Sequence, residues 1–86
     1  MATVAGRVKA VTGRILGVDV AEIRPEHSFT FDLGAESVQS VELVAAFEVE
    51  FGIEMDEEAA LAVETVGGAV EHITRICKEQ GVEVEE

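Results

Sequence analysis

The chain has 86 residues, enough for one small core and too few for a multidomain enzyme. Hydrophobic residues make up 48% and charged residues 28%, a globular balance, and because Phe29, Phe31, Phe47 and Phe51 are the only aromatics the core is expected to be aliphatic. Eighteen acidic against six basic residues give a formal charge of −12, which repels nucleic acid and anionic lipid and steers the chain toward basic surfaces of protein partners.

A lone cysteine, Cys77, excludes an internal disulfide framework and any CxxC metal or redox motif. No apolar h-region stands at the N-terminus, and Glu42, Glu48 and Glu50 interrupt the longest apolar stretches. Neither a signal peptide nor a spanning helix is expected, and the chain reads as a cytoplasmic monomer without membrane insertion.

In chain order, Val4, Val8, Val11 and Ile15 recur at helical spacing and predict an amphipathic helix that Gly17 stops. Periodicity then vanishes from Val18 to Gly34, where Pro25, Ser28, Asp32 and Gly34 punctuate a long loop that also carries Val20, Ile23, Phe29 and Leu33. A loop of this length in a small domain is expected to dock on the core or to serve function. The strongest helix runs from Ser37 to Phe51, with Val41, Val44, Phe47 and Phe51 as its apolar stripe and Gly52 as its end.

A brief helix is expected within Glu57 to Val63, and Thr65 is a good N-cap for a last helix carrying Val66, Val70, Ile73 and Cys77, whose first turn Gly67 and Gly68 weaken. Residues 81–86, Gly-Val-Glu-Val-Glu-Glu, are expected to form a frayed acidic tail beyond a domain of residues 1–80. Three longer helices and one short one, with no convincing strand, predict an all-α fold, a small four-helix bundle with a long loop between the first and second helices.

A self-contained catalyst needs a nucleophile, a base and an orienting group within reach of one another, and the residues supply no such set. His27 and His72 read as satisfied structural histidines, and Cys77, on an apolar stripe, as an inert buried thiol. The acidic run Glu54, Asp56, Glu57 and Glu58 lacks the alternating oxygen ligands and the glycine of an EF-hand loop. It reads as a solvated face with at most weak, salt-sensitive Ca²⁺ or Mg²⁺ association, and no metal ligand is assigned.

The most informative stretch is Asp32-Leu33-Gly34-Ala35-Glu36-Ser37-Val38, at the junction of the long loop with the strongest helix. On the residues alone, Ser37 caps that helix, with Glu36 and Asp32 favourably near its positive end. The stretch also resembles the phosphopantetheine attachment motif of acyl carrier proteins, usually Asp-Leu-Gly-Ala-Asp-Ser-Leu. The resemblance continues from Leu16-Gly17-Val18 through Ser28-Phe29, Val41-Glu42-Leu43-Val44, Glu50-Phe51, Asp56-Glu57-Glu58 and Thr65-Val66 to Ile73.

That resemblance implies a carrier rather than an enzyme, with Ser37 accepting 4′-phosphopantetheine from coenzyme A through a separate phosphopantetheinyl transferase. Acyl intermediates of fatty-acid, lipid or polyketide synthesis would then ride as thioesters on the arm, sheltered by the aliphatic bundle. A phosphodiester on Ser37 suits the N–H groups and positive dipole of a helix start. The resemblance further implies docking of acyl-transferring and condensing enzymes, through basic patches, on the acidic helix after the serine, where Glu36, Glu42 and Glu48 match the pattern.

Departures from that pattern are Glu36 for Asp, Val38 for Leu, Gln39 at a commonly acidic place, Phe31 before Asp32, and aliphatic Val49 and Leu61 where charges are common. Phe31 is the best candidate of these to dock in the core, whereas Val49, between Glu48 and Glu50, is expected on the exposed acidic face, where with Leu61 it would select dedicated enzymes over general fatty-acid ones. A peptidyl or aminoacyl carrier, and an unmodified acidic interaction or cation-binding module, stand as the alternatives.

Overall fold

Four helices emerge in a computed structural model that describes residues 2–86: α1 (Val4–Leu16), α2 (Ser37–Phe51), α3 (Glu57–Leu61) and α4 (Val66–Gln80). The all-α four-helix expectation holds. Helix α1 contacts both α2 and α4, while α3 packs on α2. The core is aliphatic around Phe29, Phe47 and Phe51, with Val8, Val66, Ile73 and Cys77 fully buried.

Each helix is bounded by the chemistry of its ends. Thr3 Oγ1 accepts from Gly6 N at 3.1 Å to open α1, Asp56 caps α3, and Thr65 Oγ1 accepts from Gly68 N at 3.0 Å to open α4. Left-handed glycines at Gly17, Gly52 and Gly81 end α1, α2 and α4. The stripe of α2 differs from expectation in one place: Leu43, Phe47 and Phe51, four residues apart, form the buried ridge with Val44 beside it. Val41 falls off that ridge and is 45% exposed.

The long loop is ordered by docking. A single 3₁₀ turn at Val20–Glu22, capped by the Asp19 carboxylate, is followed by buried Ile23 and Phe29. The loop then supplies acceptors to the start of α4: His27 O takes the Val66 N–H at 3.0 Å and Pro25 O the Gly67 N–H at 2.8 Å. These bonds satisfy backbone donors that a helix start leaves unpaired. They also explain Gly67, since a Cβ there would lie 3.1 Å from Pro25 O. Helix propensity is given up for close approach of the loop.

Further polar links tie the helices together. Arg7 spans α1 and α2, donating from Nε to Glu50 Oε2 at 2.9 Å and from Nη2 to Glu50 O at 2.7 Å, with its guanidinium 4.3 Å from the centre of the Phe51 ring. Gln80 and Glu54 exchange hydrogen bonds at 3.0 and 2.7 Å, anchoring the α2–α3 connection to the end of α4.

The C-terminal tail departs from the frayed segment expected over residues 81–86. Val82 and Val84 pack against the core, the Val82 N–H bonds Cys77 O at 2.8 Å, and Glu85 O accepts from Val4 N at 2.7 Å. The alternating Val-Glu pattern turns two apolar groups inward, and Glu85 O serves an N–H at the start of α1 that has no partner within its own helix. Among the described residues no helix is long and apolar enough to cross a membrane.

Candidate functional site

Asp32 to Ser37 form a tight approach to α2 in which each residue type has a local reason. The Asp32 carboxylate accepts the Ser28 N–H at 2.6 Å, while Ser28 O receives the Asp32 and Leu33 N–H groups and Ser28 Oγ the Phe31 N–H. Asp32 therefore locks the turn rather than facing the helix dipole. Gly34 adopts φ 74°, a left-handed conformation that an L side chain strains, and Ala35, 7% exposed, tucks under the turn with its N–H on Phe29 O.

Ser37 is not the cap. Glu36 occupies that position, its N–H held by Gln39 Oε1 at 3.0 Å, and Ser37 is the first helical residue, exposed to solvent. Gln39, which departs from the commonly acidic place, thus fastens the helix start. The backbone N–H groups of this first turn have no partner within the helix and face outward with the positive end of its dipole. A phosphodiester on the Ser37 hydroxyl fits this setting: it is reachable by another enzyme, and no buried group must move.

One turn further, half-buried Ser40 stands at a cavity of about 160 Å³ between α2, α3, α4 and the loop. Leu43, Val44, Phe47, Ala60, Val63 and Ile73 supply its apolar wall, and Thr30, Glu64 and His72 its polar points. An apolar cavity of about 150 Å³ accepts benzene, so room for about six carbon atoms is present. The individual wall residues were not legible as a cavity in the sequence, because on each helix they belong to the ordinary core stripe.

The remaining expected residues divide. Glu36 and Glu42 are exposed near the serine, and Val49 is 85% exposed on α2. Glu48 departs from the partner-facing role, because it is half-buried and its Oε2 accepts the Met55 N–H at 2.8 Å, bracing the turn into α3. Phe31 does not dock in the core but is 90% exposed in the loop, and Val38, next to Ser37, is 72% exposed. Leu61, 42% exposed, belongs to the cavity wall.

His27 is structural as expected, its Nδ1 accepting the Arg24 N–H at 3.1 Å. His72 is not, for its Nε2 is buried with no hydrogen-bond partner in the protein. Burial pushes the Cys77 thiol up and outweighs the opposing pull of Arg7, so the thiolate needed for reactivity is disfavoured. Among the described residues no group of three or more His, Cys, Asp or Glu side chains is placed to hold a metal ion.

Compared with known proteins, residues 6–73 match the family described as phosphopantetheine attachment site. The match spans most of the chain, from the first turn of α1 to the middle of α4, and includes the loop, the exposed serine and the cavity. This chain belongs to the phosphopantetheine attachment site family, whose domains are carriers bearing covalent 4′-phosphopantetheine.

Proposed function

We propose that this chain is an acyl carrier protein, itself non-catalytic, in which Ser37 is the attachment residue and the neighbouring cavity shelters the acyl chain. The observation that carries the reading is the exposed Ser37 hydroxyl on the first turn of α2, one turn from Ser40 in the cavity wall. When attached, the arm supplies a terminal thiol that holds the cargo as a thioester. The protein's own contribution is binding and exclusion of water: at about 0.8 kcal/mol per buried CH₂, a few methylenes among Leu43, Val44 and Phe47 hold a chain appreciably. That aliphatic wall favours acyl over aminoacyl cargo.

Intact mass after incubation with coenzyme A and a broad-specificity phosphopantetheinyl transferase tests the reading. A single phosphopantetheine adduct is expected, and an unchanged mass overturns it. The reading places the carrier in the cytoplasm, among acyl-transferring and condensing enzymes of fatty-acid, lipid or polyketide synthesis.

Partner docking is assigned to Glu36, Glu42 and Val49, which share the exposed surface of α2 and its start. Glu42 steers basic partners, so Glu42→Lys is expected to slow transferase loading about threefold to tenfold at low salt with helix content unchanged. Unaltered low-salt kinetics would remove Glu42 from that role. Exposed Val49 loses its hydration on docking and withholds a charge from generic basic partners, pointing to dedicated enzymes. Val49→Glu is expected to improve acyl transfer by a general malonyl or ketoacyl enzyme several-fold, about threefold, and kinetics unchanged with every partner would refute the selective surface.

A further inference from the structure

The cavity wall is aliphatic except at a few points, and one of them is unbalanced. His72 lines the cavity beside Ile73, yet its Nε2 is buried without a partner from the protein. Buried polar atoms are paired in the great majority of folded proteins, and an unpaired one costs its full desolvation. The other polar groups of the wall do not relieve it: Thr30, Ser40 and Glu64 are in the lining, and no hydrogen bond reaches His72 from any of them. A neutral imidazole presents one N–H donor and one bare nitrogen acceptor, and because its χ2 torsion is broad, a turn of the ring is the movement that brings a nitrogen to the cavity.

A fully saturated acyl chain in this space offers no partner, and the nitrogen, already closed to solvent, stays unpaired. A chain carrying a keto or hydroxyl oxygen gives it a partner, and because the desolvation of Nε2 is already incurred by the fold, only that of the oxygen remains to be offset. Resting on the reading that the cavity takes the acyl chain, we infer that His72 makes this carrier selective for oxygenated, oxo- or hydroxyacyl, intermediates over saturated chains of the same length. The expected preference is about fivefold in the ratio of sheltered to solvent-exposed chain, the size of one ordinary net hydrogen bond.

The test loads the whole protein with hydrolysis-resistant amide-linked pantetheine analogues bearing octanoyl, 3-hydroxyoctanoyl, 3-oxooctanoyl and 5-oxooctanoyl chains. Imidazole ¹⁵N and core methyl resonances are then followed by NMR, and melting temperatures are compared. At least one oxygenated chain is expected to shift the His72 nitrogen resonances and to raise the melting temperature beyond the octanoyl form. His72→Phe is expected to erase the difference between oxygenated and octanoyl chains, and His72→Gln, which keeps a donor and an acceptor, to preserve part of it.

If all four chains perturb the Leu43 and Ile73 methyls equally and none moves the His72 nitrogens, the cavity shelters chains but His72 does not read them, and the inference falls alone. If no chain perturbs those methyls, the sheltering reading falls with it. The His72 resonances of the unsubstituted protein decide the matter even if His72→Phe fails to fold.

Discussion

Ser37→Ala is expected to remove all phosphopantetheine loading while leaving the fold intact, the largest functional effect any single side chain here should produce. The substitution deletes the proposed acceptor oxygen and nothing else that the structure uses: Ser37 is exposed, the cap belongs to Glu36, and Gln39 holds the helix start without it. Alanine is the best helix former and the site is on the surface, so stability should change by no more than about 0.5 kcal/mol. No other serine substitutes for it, since Ser28 Oγ is occupied in the turn and Ser40 is half-buried at the cavity. Intact mass under the transferase assay, alongside a melting curve, checks both halves. A folded variant that still gains the adduct mass would overturn the assignment.

Ile73→Ala carries the largest expected loss of stability. Ile73 is fully buried at the centre of α4, and removing three of its carbons loses transfer free energy and leaves a void, together about 2–5 kcal/mol. For a chain of this size, whose whole stability is roughly 4–13 kcal/mol, that is a large share. The melting temperature should fall by about 8 °C or more, and the urea midpoint should drop with an unchanged slope. Because Ile73 also lines the cavity, the void adjoins the space assigned to the chain. A fall of under about 3 °C would mean that neighbouring side chains close over the gap.

Helix existence and most helix ends were legible in the sequence because they depend on local physics. The 3.6-residue recurrence of Val4, Val8 and Val11 needs only one buried side, and the Thr65 cap and the Gly17, Gly52 and Gly81 stops act within a turn of themselves. The short α3 and the loop-to-helix junction around Ser37 were legible for the same reason, the junction with the added weight of its resemblance to a known attachment motif. Within the motif, however, the parts played by Asp32, Glu36 and Gln39 emerged only with coordinates, since a carboxylate near a helix start can serve the turn or the dipole equally well by sequence.

What only the tertiary structure decided lies between elements distant in the chain. Gly67 weakens a helix by propensity, yet it is the position at which the Pro25 carbonyl closes on α4. The tail looked unpartnered until Val82 and Val84 met the core and Glu85 met α1, contacts that span nearly the whole sequence. Glu48 turned from the surface to the Met55 backbone, and Phe31 stayed out of a core that Phe29 already fills. The cavity and its unpaired His72 nitrogen belong to this class as well. A cavity is space left among side chains from several helices, and no single helix's periodicity encodes the distance to the next.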